Sequence, residues 1–131
     1  MPKFGKRSLS RLEGVDLRLQ KLCHELIKIM DVTIIEGVRS TKKQQKYFKS
    51  NASKIDGIKK KSQHQLGKAV DLMPYPIDWN DRERIHYMGG MLRGIASQHP
   101  DINARWGGDW DSDGEIKDNS FDDLVHIEIR R

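Results

Sequence analysis

The sequence predicts an α+β fold, a small antiparallel sheet packed with about three helices, on three observations. Apolar residues recur at three- and four-residue steps from about Leu12 to Met30. The segment LVHIEIR alternates apolar and polar residues strictly. Helical and strand-like segments do not alternate regularly enough for a doubly wound sheet. A chain of 131 residues fits one domain, taken as residues 1–131.

Along the chain, Leu19, Leu22, Cys23, Leu26, Ile29 and Met30 define the apolar stripe of a first helix. Its face carries the single cysteine, Cys23, which is therefore expected as a buried thiol; a lone cysteine excludes an internal disulfide and a CxxC metal site. The β-branched run Val32, Thr33, Ile34 and Ile35 predicts a strand ending at Gly37. Thr41 is the expected cap of a second helix, KKQQKYFKS, followed by a polar, basic connection over 51–62. KAVDLM predicts a strand stopped by Pro74 and Pro76. A third helix, with Asn80 as its expected cap, aligns Ile85, Met88, Gly89, Leu92, Ile95 and Ala96 on one face before Pro100. Each glycine of the Gly89-Gly90 pair costs a helix about 1 kcal/mol, which predicts a close neighbour there. ARWGGDW predicts a strand entering an acidic loop at 109–120, and LVHIEIR the final strand.

Composition narrows the function. At 36% hydrophobic and 33% charged residues the chain is globular, and no apolar run approaches the roughly 20 residues of a membrane span. The basic start, MPKFGKRSLS, lacks an apolar core region, so no secretory signal is expected. Residues 1–61 hold sixteen Lys/Arg against six Asp/Glu, and residues 62–131 eight against thirteen. A basic first half suits nucleic acid, anionic lipid or an acidic wall polymer, and the carboxylates gather in the second half.

Two strand patterns carry the chemistry. In LVHIEIR, Val125, Ile127 and Ile129 share one face and leave His126 and Glu128 on the other. Asp71 likewise lies opposite Val70 and Leu72, with small Ala69 beside it, and His64 precedes a turn at Gly67 that folds it back over Asp71. Two imidazoles and one carboxylate suit zinc with a fourth position open, the catalytic type of site. Hydrolysis then needs a base. Asp123, three residues before His126, is the choice, with Asp122 as its competitor. Ser62 and Glu128 are placed to hold the imidazole tautomers.

The ordered set in SQHQLGKAVDLMPYP and FDDLVHIEI, with IIEGVRS and RWGGDW, resembles the D-alanyl-D-alanine carboxypeptidase and VanX/VanY zinc peptidases, and within them the phage L-alanyl-D-glutamate endolysins. The resemblance implies a Hedgehog/DD-peptidase-like fold, zinc on His64, Asp71 and His126, and Asp123 as base where many relatives carry glutamate. It makes Arg39 the cation facing the substrate carbonyl; Gln44, one helical turn on, is expected to help line the site. It implies peptidoglycan as partner, no nucleic acid, and accumulation in the host cytoplasm until release through a separate pore; a monomer is expected because the sequence shows no long apolar patch. The alternatives are a D-Ala-D-Ala carboxypeptidase or dipeptidase, and a non-catalytic zinc-stabilised module that binds the wall.

The acidic loop adds a second metal expectation. Asp109, Asp111 and Asp113 with Gly114 match the first half of a calcium loop, but Ser120 stands where a bidentate glutamate belongs, leaving Glu115 or Asp118 to substitute. Similar endolysins carry an acidic loop here that in some of them binds calcium as a switch, which sets calcium as a regulatory ion against a plain solvated acidic loop.

Overall fold

The computed structural model describes residues 2–130. Its elements run α1 (Lys6–Leu12), α2 (Leu17–Ile27), β1 (Val32–Glu36), α3 (Thr41–Lys49), β2 (Ala69–Pro74), α4 (Arg82–Ser97), β3 (Ala104–Gly107) and β4 (Asp123–Ile129). The strands form one antiparallel sheet in the order β1-β2-β4-β3. The α+β class therefore holds, with four helices among the described residues where three were expected.

The extra helix, α1, lies ahead of the first apolar stripe and shares only Leu12 with the expected helix, which starts at Leu17 instead. Gly14 adopts a left-handed φ of +80°, which a residue with a side chain rarely adopts, and Asp16 caps the restart by accepting the Arg18 N–H at 2.9 Å. The stripe also stops short: α2 ends at Ile27, and Ile29 is 61% exposed. Two other caps sit one residue from the expected place. Ser40, not Thr41, accepts from the Lys43 N–H at 3.1 Å, and Asp81, not Asn80, accepts from the Arg84 N–H at 3.1 Å.

One face of the sheet makes the core. Leu72, Val70, Val125 and Ile127 bury there, with α4 packed over β2, β4 and β3 through Ile85, Met88 and Leu92. Next to α4 lies α2, which contributes Leu19, Leu22, Cys23 and Leu26. Cys23 is buried, and burial pushes its thiol up to about 12. A Cβ on Gly89 would stand 2.1 Å from the Trp106 ring, so this glycine admits the indole; Gly90 has nothing within 4 Å. The other face of β2 and β4 carries Asp71, His126 and Glu128, with buried Ala69 and Met73 flanking Asp71 on β2. None of the described helices is long and apolar enough to cross a membrane.

Candidate metal centre and active site

Asp71 and His126 are directly opposite on the central strands β2 and β4. The turn at Gly67, with φ +70°, returns His64 to the same place. His64 Nε2 and His126 Nδ1 each lie 3.1 Å from Asp71 Oδ1, and one ligand atom from each residue falls within 4.8 Å of the others.

The donor set fits a divalent cation for a specific reason. Gly37 O, an acceptor, faces His64 Nδ1 at 2.8 Å, and Glu128 Oε1 faces His126 Nε2 at 2.8 Å. Each outer nitrogen therefore carries a ring proton, and each inner nitrogen faces the Asp71 carboxylate, where a proton or a bound cation can join them. Three lone-pair donors converging in a buried place repel unless a positive charge joins them. The same contacts act on the titrations. Burial opposes a charge on His126, but Asp71 and Glu128 outweigh it and hold the imidazole up to about 9. Burial likewise opposes the Asp71 carboxylate, and His126 and His64 outweigh it, keeping it far below the usual carboxylate range.

Ser62 is used differently from the expectation. Its Oγ accepts the Gln65 N–H at 3.2 Å, capping the turn before the strand. The carbonyl of Gly37 holds the His64 tautomer instead, and a backbone group has no side-chain signature in a sequence. Arg105 extends the other support, donating to Glu128 Oε2 at 3.1 Å.

A cavity of about 750 Å³ opens over this centre, lined among others by Arg39, Asp123, Trp110 and Phe121. Asp123 is half-buried at its wall; burial and the Asp71 charge raise its carboxyl above the ordinary value, against the pull of His126, His64 and Arg39. Asp122 instead accepts from Arg82 Nη2 at 2.8 Å, on the exposed side. Arg39 is held on three sides: it pairs with Glu36, donates from Nη1 to Gln44 Oε1 at 2.7 Å, and stacks 4.7 Å from the Tyr47 ring. Gln44 is fully buried and donates onward to Ser53 Oγ at 2.9 Å and Ile55 O at 2.7 Å, so it braces Arg39 rather than lining the cavity.

Sequence reasoning missed Glu36, Tyr47, Trp110 and Phe121. A register shift between Ile34 and Glu36 brings Glu36 opposite Asp71, an irregularity that residue alternation does not encode. Trp110 packs 5.7 Å from both the His126 and Phe121 rings, and the GGDWD context was its only signal.

In the acidic loop, Asp109, Asp111 and Asp113 also bring one ligand atom each within 4.8 Å of one another. Asp109 is buried and already accepts the Asp113 and Gly114 N–H groups, at 3.2 and 2.9 Å. Asp113, followed by burial and the charge of Asp111, pushes the Asp118 carboxyl up to about 6.

A sheet carrying Asp71 and His126, with His64 returned to them by the preceding turn, under an open cavity with a carboxylate and a fixed guanidinium on its wall, defines a metallopeptidase-type architecture. The family model of the phage L-alanyl-D-glutamate peptidase matches residues 1–130, so the chain belongs to that family and is a peptidase. Among solved structures it is similar to the L-Ala D-Glu endopeptidase ChiX of Serratia marcescens, with TM-score 0.78 and 22% identity over 98% of this chain and 90% of that one. It is also similar to the vancomycin-resistance D,D-pentapeptidase VanY solved with Zn(II), with TM-score 0.55 and 19% identity over 88% and 72%. A third similar structure, VanYB with D-alanine-D-alanine, gives TM-score 0.54 and 17% identity over 88% and 71%. These likenesses show a shared fold. No curated protein sequence matches the chain.

Proposed function

We propose that the chain is a zinc-dependent endopeptidase that cuts the L-Ala–D-Glu bond in the peptide stem of bacterial peptidoglycan during phage lysis. The observation that carries this is the convergence of two imidazole nitrogens and the Asp71 carboxylate at one point under the cavity. The membership in the phage peptidase family supports the bond. His64, Asp71 and His126 would hold the ion. When bound, zinc supplies Lewis acidity and brings the proton loss of water near neutral pH.

The chain's own groups supply the rest. Asp123 takes the proton of the attacking water and returns it to the leaving amine, which suits a carboxylate raised by burial. Arg39 donates to the scissile carbonyl oxygen as negative charge builds there; its fixed position means little reorganisation at that moment. Glu128 and Gly37 keep both imidazoles in the tautomer that leaves the inner nitrogen free. The enzyme acts as a monomer, has no nucleic-acid partner, and waits in the host cytoplasm for a separate pore. Calcium in the Asp109–Asp113 loop is the finer part of this reading, supported by the meeting of the three carboxylates.

Turbidity of purified peptidoglycan tests the proposal. Chelation should stop clearing, zinc should restore it, and the products should carry a new N-terminal D-Glu. Clearing that survives chelation removes the metal. Free D-Ala in place of D-Glu moves the cut to the D-Ala-D-Ala terminus. If zinc restores full activity without calcium, the loop is a solvated acidic loop.

A further inference from the structure

The sheet order gives the cavity two unlike flanks. β1 and β3 are its edges, and the ligand residues of β2 and β4 lie between them. From the β1 edge the chain enters α3 and the loop that brings Ser53, Lys54 and Ile55 to the cavity. From the β3 edge it enters the acidic loop that brings Trp110 and Phe121.

The charge of these flanks is opposite. Residues 41–61 hold eight lysines and one aspartate, a net of +7. Residues 109–123 hold seven acidic residues and one lysine, a net of −6. Some of this is internally spent: Lys43 pairs with Glu36 at 2.9 Å and Asp122 with Arg82. Lys54 is exposed, lines the cavity, and pairs with no carboxylate of the described residues. On the far flank Phe121 keeps 64% of its surface exposed while its ring leans on Trp110.

A peptidoglycan stem is itself unlike at its two ends. Upstream of the L-Ala–D-Glu bond lie a neutral alanine and the muramyl sugar, whose C–H faces suit an aromatic ring. Downstream, D-Glu is linked onward through its γ-carboxyl, so its α-carboxyl remains as a carboxylate close to the scissile bond. We propose that the cavity binds the stem in one direction, with the D-Glu α-carboxylate on Lys54 and the muramyl sugar on Phe121. The acidic flank repels the reverse orientation. Lys54 and Phe121 are thus specificity residues, and the assignment rests on the bond proposed above.

Three substrates test it: muramyl-L-Ala-D-Glu-L-Lys, the same molecule with the D-Glu α-carboxyl amidated, and the tripeptide capped by acetyl in place of the sugar. Lys54→Glu should raise KM for the carboxylate substrate about tenfold, with kcat changed less than about twofold, and should shift KM of the amidated one less than about twofold. Phe121→Ala should reduce the preference for the muramyl over the acetyl-capped substrate from about tenfold to about twofold. Both side chains are exposed, so thermal midpoints should match the wild type and separate binding from folding. An equal KM shift on carboxylate and amide, or none, overturns the Lys54 assignment. An unchanged muramyl preference overturns that of Phe121. Wild-type enzyme that cleaves none of the three strikes the underlying bond instead, and is read without any variant.

Discussion

Asp123 and Asp122 are adjacent in sequence, yet one lines the cavity and the other pairs with Arg82. Asp123→Asn should therefore cut hydrolysis by about 10²–10⁴-fold while zinc content, read by atomic absorption, stays near one per chain. Asp122→Asn should leave the rate within about twofold, since an exposed pair contributes about 0–1 kcal/mol. Glu128→Gln tests the support of His126: competition against a chelator should show zinc affinity lower by about 10–100-fold. Glu36 gives a pH signature. Burial works against its charge, but Lys43 and Arg39 outweigh this and lower its pKa from 4.5. A folded pKa below the unfolded one adds stability above about pH 4.5, and this is lost as pH falls through the depressed value. Acid unfolding of Glu36→Gln should accordingly show a flatter pH dependence than the wild type in that window. Residue types at this scale were legible where a strand face displayed them: Asp71 and His126 stood out because their neighbours Val70, Leu72, Val125 and Ile127 are apolar. The brace around Arg39 was not, because Gln44 and Glu36 act through a buried contact and a register shift.

Among the elements, the helix around Gly89 and Gly90 separates two roles for one residue type. Gly89→Ala puts a methyl into the Trp106 ring and should cost about 1–3 kcal/mol in denaturant unfolding. Gly90→Ala meets no atom within 4 Å and should stabilise by about 0.5–1 kcal/mol through helix propensity. The sequence called for a close neighbour at this pair but not for its name, since Trp106 arrives from β3, across an intervening turn. Strands were legible from alternation and β-branching. The helix α1 was not legible, because Lys6–Leu12 holds only Leu9 and Leu12 as apolar residues among charged and hydroxyl side chains. Left-handed Gly14 with the Asp16 cap two residues on moves the start of the expected helix from about Leu12 to Leu17.

For the whole molecule, a cation bound only by the folded chain shifts the unfolding equilibrium. With free zinc at about 100 times its dissociation constant, stability should rise by about 2.7 kcal/mol, read as a higher thermal midpoint that chelator reverses. The strand order has a further consequence. β4 is translated after the other three strands but occupies an interior place, between β2 and β3. A nascent chain that has already emerged as far as β3 lacks His126, Glu128 and Asp123 together. An intermediate stopped at β3 is consequently inert in the proposed chemistry, and a nonsense fragment lacking β4 forfeits the middle of its sheet as well.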